Sequence, residues 1–304
     1  ATTGTQNIAI GDRAISDGAV DGAANVGIGL TALQKLTTGD NNTAVGNWAL
    51  GSSTTGSLNT AIGYGALSGG DTTGASNVAV GHNAMDALTT GACNIALGLN
   101  ALGAMTVGVT NIAIGEEAMS GVTTAAAQNN IAIGTGALIG AAGTDADDNV
   151  AIGRLALVAL TTGNANVGIG NSAMDALTSG TCNIAIGLNA YGVAVQASDN
   201  ISIGQTAMGG SLVTGNSNLA IGKNAADAML AGACNIAIGK NALGAATVIT
   251  DNIAIGQLAL SGVTTGGANR NIGIGQCALV GNSNTVGDNN IALGVTGLLA
   301  LTTG

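Results

Sequence analysis

Asn7-Ile8-Ala9-Ile10-Gly11, followed after two residues by Ala14-Ile15, is the stretch that decides the fold. The phrase returns as Asn94-Ile95-Ala96-Leu97-Gly98 with Ala101-Leu102, and as Asn252-Ile253-Ala254-Ile255-Gly256 with Ala259-Leu260. Seventeen copies occur, led by Asn7, Asn25, Asn42, Asn59, Asn77, Asn94, Asn111, Asn130, Asn149, Asn166, Asn183, Asn200, Asn218, Asn235, Asn252, Asn271 and Asn290. Their spacing is 17 residues nine times, 18 three times and 19 four times. So short and regular a period overrides length as a guide to domain number. It reads as a solenoid in which each unit touches only its neighbours.

With positions numbered from the Asn, position 2 is Ile, Val, Leu or Thr and position 4 is Ile, Val or Leu. Position 3 is Ala, Gly or Ser, and position 5 is Gly in all seventeen copies. Alternation of large and small at period two predicts a short β-strand, with branched residues on one side and small ones on the other. Position 8 is Ala in all copies but the last, and position 9 is mostly Leu or Met. Segments such as Ala84-Met85-Asp86-Ala87-Leu88 are too short between glycines for a stable helix, so a second short strand or extended segment is expected there. Thr-Thr-Gly, as at 37–39 and 89–91, then supplies a turn back to the next Asn. The extra residues of the longer spacings fall in that last turn, as at 125–128 and 144–147, where they leave strand register intact.

The pattern predicts an all-β chain, a parallel β-solenoid of about 17 coils with 17–19 residues each, running as one array from 1 to 304. A longer period overlies the short one. The order of spacings from Asn25 repeats from Asn166, an offset of 141 residues or eight coils, so 25–165 resembles 166–304. Stacked coils predict aliphatic columns at positions 2, 4 and 9, and an Asn ladder of side-chain amides bonded from rung to rung. The invariant Gly is expected at positive φ or where no Cβ fits. If the branched residues fill the interior, the small column faces outward. Ala96, Ala113, Ala132, Ala151, Ala185, Ala237 and Ala254 are then a candidate interface stripe, since long apolar stripes mark contacts.

Composition narrows the function. The chain has 52 Gly, no Pro, no Phe, one Trp (Trp48) and two Tyr, so its core must be aliphatic. Six basic against sixteen acidic residues leave a net charge of −10, which opposes binding to nucleic acid or an anionic membrane. No apolar run approaches the ~18 residues of a membrane span, so no membrane insertion is expected. No charged-then-apolar leader opens the chain, so any secretion signal is expected to be removed or to lie outside it. The chain opens Thr2-Thr3-Gly4 and closes Thr302-Thr303-Gly304, at one phase of the repeat and without a capping coil. Either a window of a longer array or head-to-tail stacking of subunits is expected.

Residues that could carry chemistry are few. Cys93, Cys182, Cys234 and Cys277 lie two or more coils apart, beyond the reach of a disulfide at ~4.8 Å per coil, and read as small apolar fillers. Gly27-Ile28-Gly29-Leu30-Thr31-Ala32 matches a dinucleotide fingerprint, but neither helix nor acidic ribose partner follows. His82 is the only His, in a turn. Asp145, Asp147 and Asp148 could ligate Ca²⁺, yet the matching positions one block later are Val286, Asp288 and Asn289. The Thr-Thr pairs suggest an ice-binding face but vanish from several coils. No enzyme activity, cofactor or metal is expected.

Asn-Ile-Ala-Ile-Gly with its following Ala-Leu resembles the head repeats of trimeric autotransporter adhesins of the YadA type, and similar arrays occur in phage tail fibres. The resemblance covers essentially the whole chain. It implies a left-handed parallel β-roll, usually three chains about an axis, outside the cell and binding surfaces such as matrix proteins. The expected function is therefore an extracellular structural fibre, at a cell surface, in a secreted fibre or on a virion. Its partner would be itself, as a head-to-tail or trimeric homo-oligomer. The alternative is an adhesin or tail-fibre recognition module for a cell-surface or matrix receptor. An ice- or cation-binding solenoid is the distant third.

Overall fold

Each copy of the phrase forms a strand of three residues that begins just after its Asn. The structure, a computed structural model, describes residues 4–17, 20–123, 127–140, 146–262, 268–280 and 287–298. Residues 2–3 and 302–304 of the terminal triplets, and 125–126 and 144–145 of the long turns, lie outside these. The chain divides into two compact units, Ala1–Arg154 and Leu155–Gly304. The first holds nine strands, from β1 (Ile8–Ile10) and β2 (Val26–Ile28) to β9 (Val150–Ile152). The second holds eight, from β10 (Val167–Ile169) and β11 (Ile184–Ile186) to β17 (Ile291–Leu293).

Within each unit every strand pairs in parallel with the next, like position against like. Ile8 lies on Val26, Ala9 on Gly27 and Ile10 on Ile28; Val167 lies on Ile184. A 19-residue step does not disturb this, as Ile112 still faces Ile131. The added residues are absorbed in the turn, where no ladder constrains them. The fold is a parallel β-solenoid.

The Asn ladder is present. Asn42 donates its backbone N–H to Asn25 Oδ1 at 2.8 Å and its amide N–H to the same oxygen at 3.1 Å. The second amide hydrogen crosses the coil to the Gly56 carbonyl at 2.8 Å. Asn42 thus bonds the coil below, the coil above, where its Oδ1 accepts from Asn59 N–H at 2.9 Å, and the far side of its own turn. Asn25, Asn59, Asn77 and Asn94 are fully buried, and a buried amide left unpaired would cost about 1–3 kcal/mol.

Gly at position 5 has two reasons to be invariant. Gly98 has φ of 141°, a region essentially reserved for glycine. A Cβ there would also lie 2.5 Å from the Gly115 carbonyl oxygen of the next coil.

Among the described residues the expected second strand or extended segment is absent. After the Gly, residues 82–87 form consecutive turns, with Asn83 and Met85 both at φ 52°. Left-handed residues at positions 7 and 9 break the pleat, and each costs about 1–2 kcal/mol in isolation. Bonds to the flanking coils hold them there. Asn83 N–H donates to the Tyr64 carbonyl at 2.9 Å, and Met85 N–H to the Ala101 carbonyl at 2.9 Å.

The interior also inverts an expectation. Position 9 is buried, as at Leu33, Met85 and Leu157, but positions 2 and 4 are not. From β2 to β17 the middle residue of each strand is buried and neither flanking residue is. Ala96, Ala113, Ala132, Ala151, Ala185, Ala237 and Ala254 are fully buried, so they are no outward stripe. The reason is space. A Cβ added at Gly168 would meet Leu157 Cγ at 3.2 Å, and one at Gly273 would meet Leu260 Cγ at 3.3 Å. The position 9 side chain of the preceding coil already lies behind the strand, leaving room for a methyl group or, at the fully buried Ser202, a hydroxymethyl bonded to the Ala207 carbonyl.

Candidate functional site

Because the small column faces in, the branched columns face out. Each strand presents two aliphatic or threonine side chains to the same side. They repeat at the strand spacing of ~4.8 Å, as two parallel ranks along each unit. Ile10, Ile62, Ile95 and Leu97 in the first unit, and Ile186, Ile274, Ile291 and Leu293 in the second, are among the exposed large apolar residues. Across all seventeen strands these ranks contain no charged residue, and Thr43 and Thr60 are their only polar members. These ranks run over nine strands in the first unit and eight in the second, and a stable protein interface takes ~800 Å² from each partner. Isolated apolar residues on a surface need no explanation, but an uncharged face of this extent does.

The turn after the strand carries a second set of exposed groups, at positions 6 and 7. Leu30, Trp48, Tyr64 and Leu99 are exposed there. Tyr64 stacks on His82 of the next coil, with ring centroids 5.1 Å apart and planes within 10°. His82 is an exposed stacking partner with no nucleophile bonded to it. The polar groups elsewhere serve the stack. Thr37 Oγ1 donates to the Thr54 carbonyl at 2.9 Å and Thr161 Oγ1 to the Thr178 carbonyl at 2.8 Å, so these threonine hydroxyls join coils.

Asp147 and Asp148 accept from Gln128 N–H at 2.7 Å and Asn129 Nδ2 at 3.1 Å, while Asp145 lies outside the described residues. Asp86, Asp175 and Asp227 are partly buried, and burial pushes their carboxyls above the usual range. Among the described residues no group of three His, Cys, Asp or Glu is placed to hold a metal. No helix among them is long and apolar enough to cross a membrane. The Gly27 to Ala32 stretch is strand followed by turn, with Gly27 buried in the column of small residues.

The cysteines are not interior fillers. Cys93, Cys182 and Cys234 are exposed and Cys277 partly so, all as free thiols. The residue before the ladder Asn takes positive φ, 59° at Cys93, and that geometry turns its side chain out to solvent. The sequence signal that finds the aliphatic face is the pairing of a small residue at position 3 with a large one at position 9. Both compete for the same interior volume, and only one arrangement fits.

No protein-family model matches the chain, and no curated protein sequence matches it.

Proposed function

We propose that the protein is a structural subunit that assembles by packing its aliphatic sheet face against further copies of itself. The observation that carries this reading is the uncharged double rank of branched side chains. A face of that size left in water costs the chain solubility, and a self-complementary flat surface buries it most economically against its own kind. The interior polar groups support a role without catalysis, because the ladder asparagines and turn threonines bond other coils. Resemblance of the repeated phrase to adhesin and tail-fibre repeats supports an extracellular setting and a cyclic oligomer. A receptor-binding module is the second reading, favoured by the exposed Leu30, Trp48, Tyr64 and Leu99 at the turn edge.

Light scattering after size-exclusion chromatography tests the assembly. The unsubstituted chain is expected to elute as an oligomer, and Ile95→Lys with Leu97→Lys to shift it towards the monomer mass. Ile95→Thr with Leu97→Thr keeps β propensity and separates loss of contact from loss of fold. A monomeric parent, or an unchanged mass in the lysine variant, defeats the reading.

A further inference from the structure

The chain's only Trp sits beside a cleft lined by Gln34, Lys35, Trp48, Gly51, Ser52 and Ser68, with a volume of about 110 Å³. Trp48 is 55% exposed, yet its backbone is fixed. Its N–H donates to the Leu30 carbonyl at 2.9 Å, and its carbonyl accepts from Gly51 N–H at 3.0 Å. The position above it in the next coil is Gly65, buried and at φ 65°, where no side chain can cover the indole. Gly51 leaves the adjoining wall equally bare.

The polar rim is organised rather than free-hanging. Gln34 Nε2 donates to Asp17 Oδ2 at 2.6 Å, which aims the amide. Ser68 Oγ donates to the Gly65 carbonyl at 2.9 Å, so its lone pairs remain to accept. Lys35 supplies a donor at the same rim. Tyr64 and His82 stack on each other in the following two coils, one position earlier in the turn. The chain has only three aromatic residues besides this His, and the third, Tyr191, is buried.

From this we infer a carbohydrate-binding site at Trp48, taking β-1,4-linked pyranose rings of the glucose or N-acetylglucosamine type. A ligand here must offer a flat apolar face to the indole and both donors and acceptors around its edge. Aliphatic side chains of a peptide would draw the Ser52 hydroxyl, the Ser68 lone pairs and the second amide hydrogen of Gln34 out of water with nothing to bond, which is unfavourable. A pyranose with equatorial hydroxyls has axial hydrogens alone on its faces and hydroxyls at its rim, which matches both requirements. The site is local. One eight-coil block later Trp48, Tyr64 and His82 are replaced by Asn189, Gln205 and Lys223, so the copied block lacks it. The inference stands independently of self-association, because the cleft lies in the turn beyond the strand and not on the aliphatic face.

Since Trp48 is the sole Trp, its emission reports on the cleft directly. The full chain would be titrated with cellohexaose and with chitohexaose, followed by fluorescence and by calorimetry. A saturable change in emission with at least one hexamer is expected, with a Kd in the micromolar to millimolar range. Trp48→Ala should weaken binding at least ~10-fold by calorimetry, Trp48→Phe much less, and Ser68→Ala and Gln34→Ala several-fold, all with unchanged circular dichroism. Absence of both heat and emission change up to ~10 mM, about ten times a millimolar Kd, overturns the assignment. So does binding that Trp48→Ala leaves intact.

Discussion

The side-chain amide of Asn200 donates to the hydroxyl of Tyr191 at 2.7 Å, so an aromatic residue of the core is wired into the asparagine ladder. Tyr191 occupies position 9, where most coils carry Leu or Met, and is fully buried. Its ring fills the aliphatic column and its oxygen reaches the polar one. The same Asn200 amide also lies 3.0 Å from each of the Ser198 and Gly215 carbonyls, which ties the tyrosine to the return turns of two successive coils.

Burial pushes the Tyr191 phenol well above its ordinary value of about 10. The unfolded phenol therefore ionises first. Its contribution to stability is intact below pH ~10 and falls as the pH climbs past that value. In a Tyr64→Phe chain the remaining phenol should ionise only together with loss of the β-sheet circular dichroism signal. Ionisation near pH 10 with the fold intact would contradict the buried environment.

Removing one rung of the ladder should be costly and local. Asn94→Ala leaves Asn111 without the acceptor for its backbone N–H at 2.9 Å and its amide at 3.1 Å, and leaves the Gly108 carbonyl without its donor at 2.7 Å. At about 1–3 kcal/mol for each buried group left unpaired, a loss of roughly 3 kcal/mol or more is expected. For a unit of this size that is several degrees in Tm, on the order of 2–4 °C per kcal/mol. Hydrogen exchange should accelerate first at Asn111.

Two glycines of the same phrase should respond oppositely to a methyl group. Gly98→Ala places a Cβ 2.5 Å from a neighbouring backbone oxygen at φ 141°, and the unit should fail to fold or lose more than ~3 kcal/mol. Gly168→Ala puts its Cβ 3.2 Å from Leu157 Cγ, a side chain that can give way, at a position where most coils have Ala. A change within about ±1 kcal/mol is expected. Thermal unfolding of the two variants side by side decides it.

The inverted strand makes a second contrast. Ala113→Leu adds bulk to a filled interior and should destabilise by about 1–3 kcal/mol or more, without a specific effect on assembly. Ile112→Thr, one residue away on the outer face, should leave Tm nearly unchanged and weaken self-association. Equal effects of the two on Tm would place both side chains in the same environment and refute the burial pattern.

How much was legible in the residues can be judged at particular positions. The spacing of Asn25, Asn42 and Asn59 determined coil length, parallel pairing and the ladder, because a side-chain amide can bond its equivalent only if the coils are stacked in phase. Gly98 and its equivalents announced a backbone that no Cβ can enter. Neither conclusion needs knowledge of anything far away in the coil. Which side of the strand faces inward is different in kind. Alternation at Ile112, Ala113 and Ile114 separates two faces without naming the inner one. Only the position of Met85, Leu157 and their equivalents across the coil, brought there by left-handed turns that no periodicity encodes, shows that Met85 and Leu88 fill the interior in place of Val78 and Val80. The same turns bring Gln34, Trp48 and Ser68, from three successive coils, to one cleft, and a cleft is a property of distance in space that the order of residues does not contain.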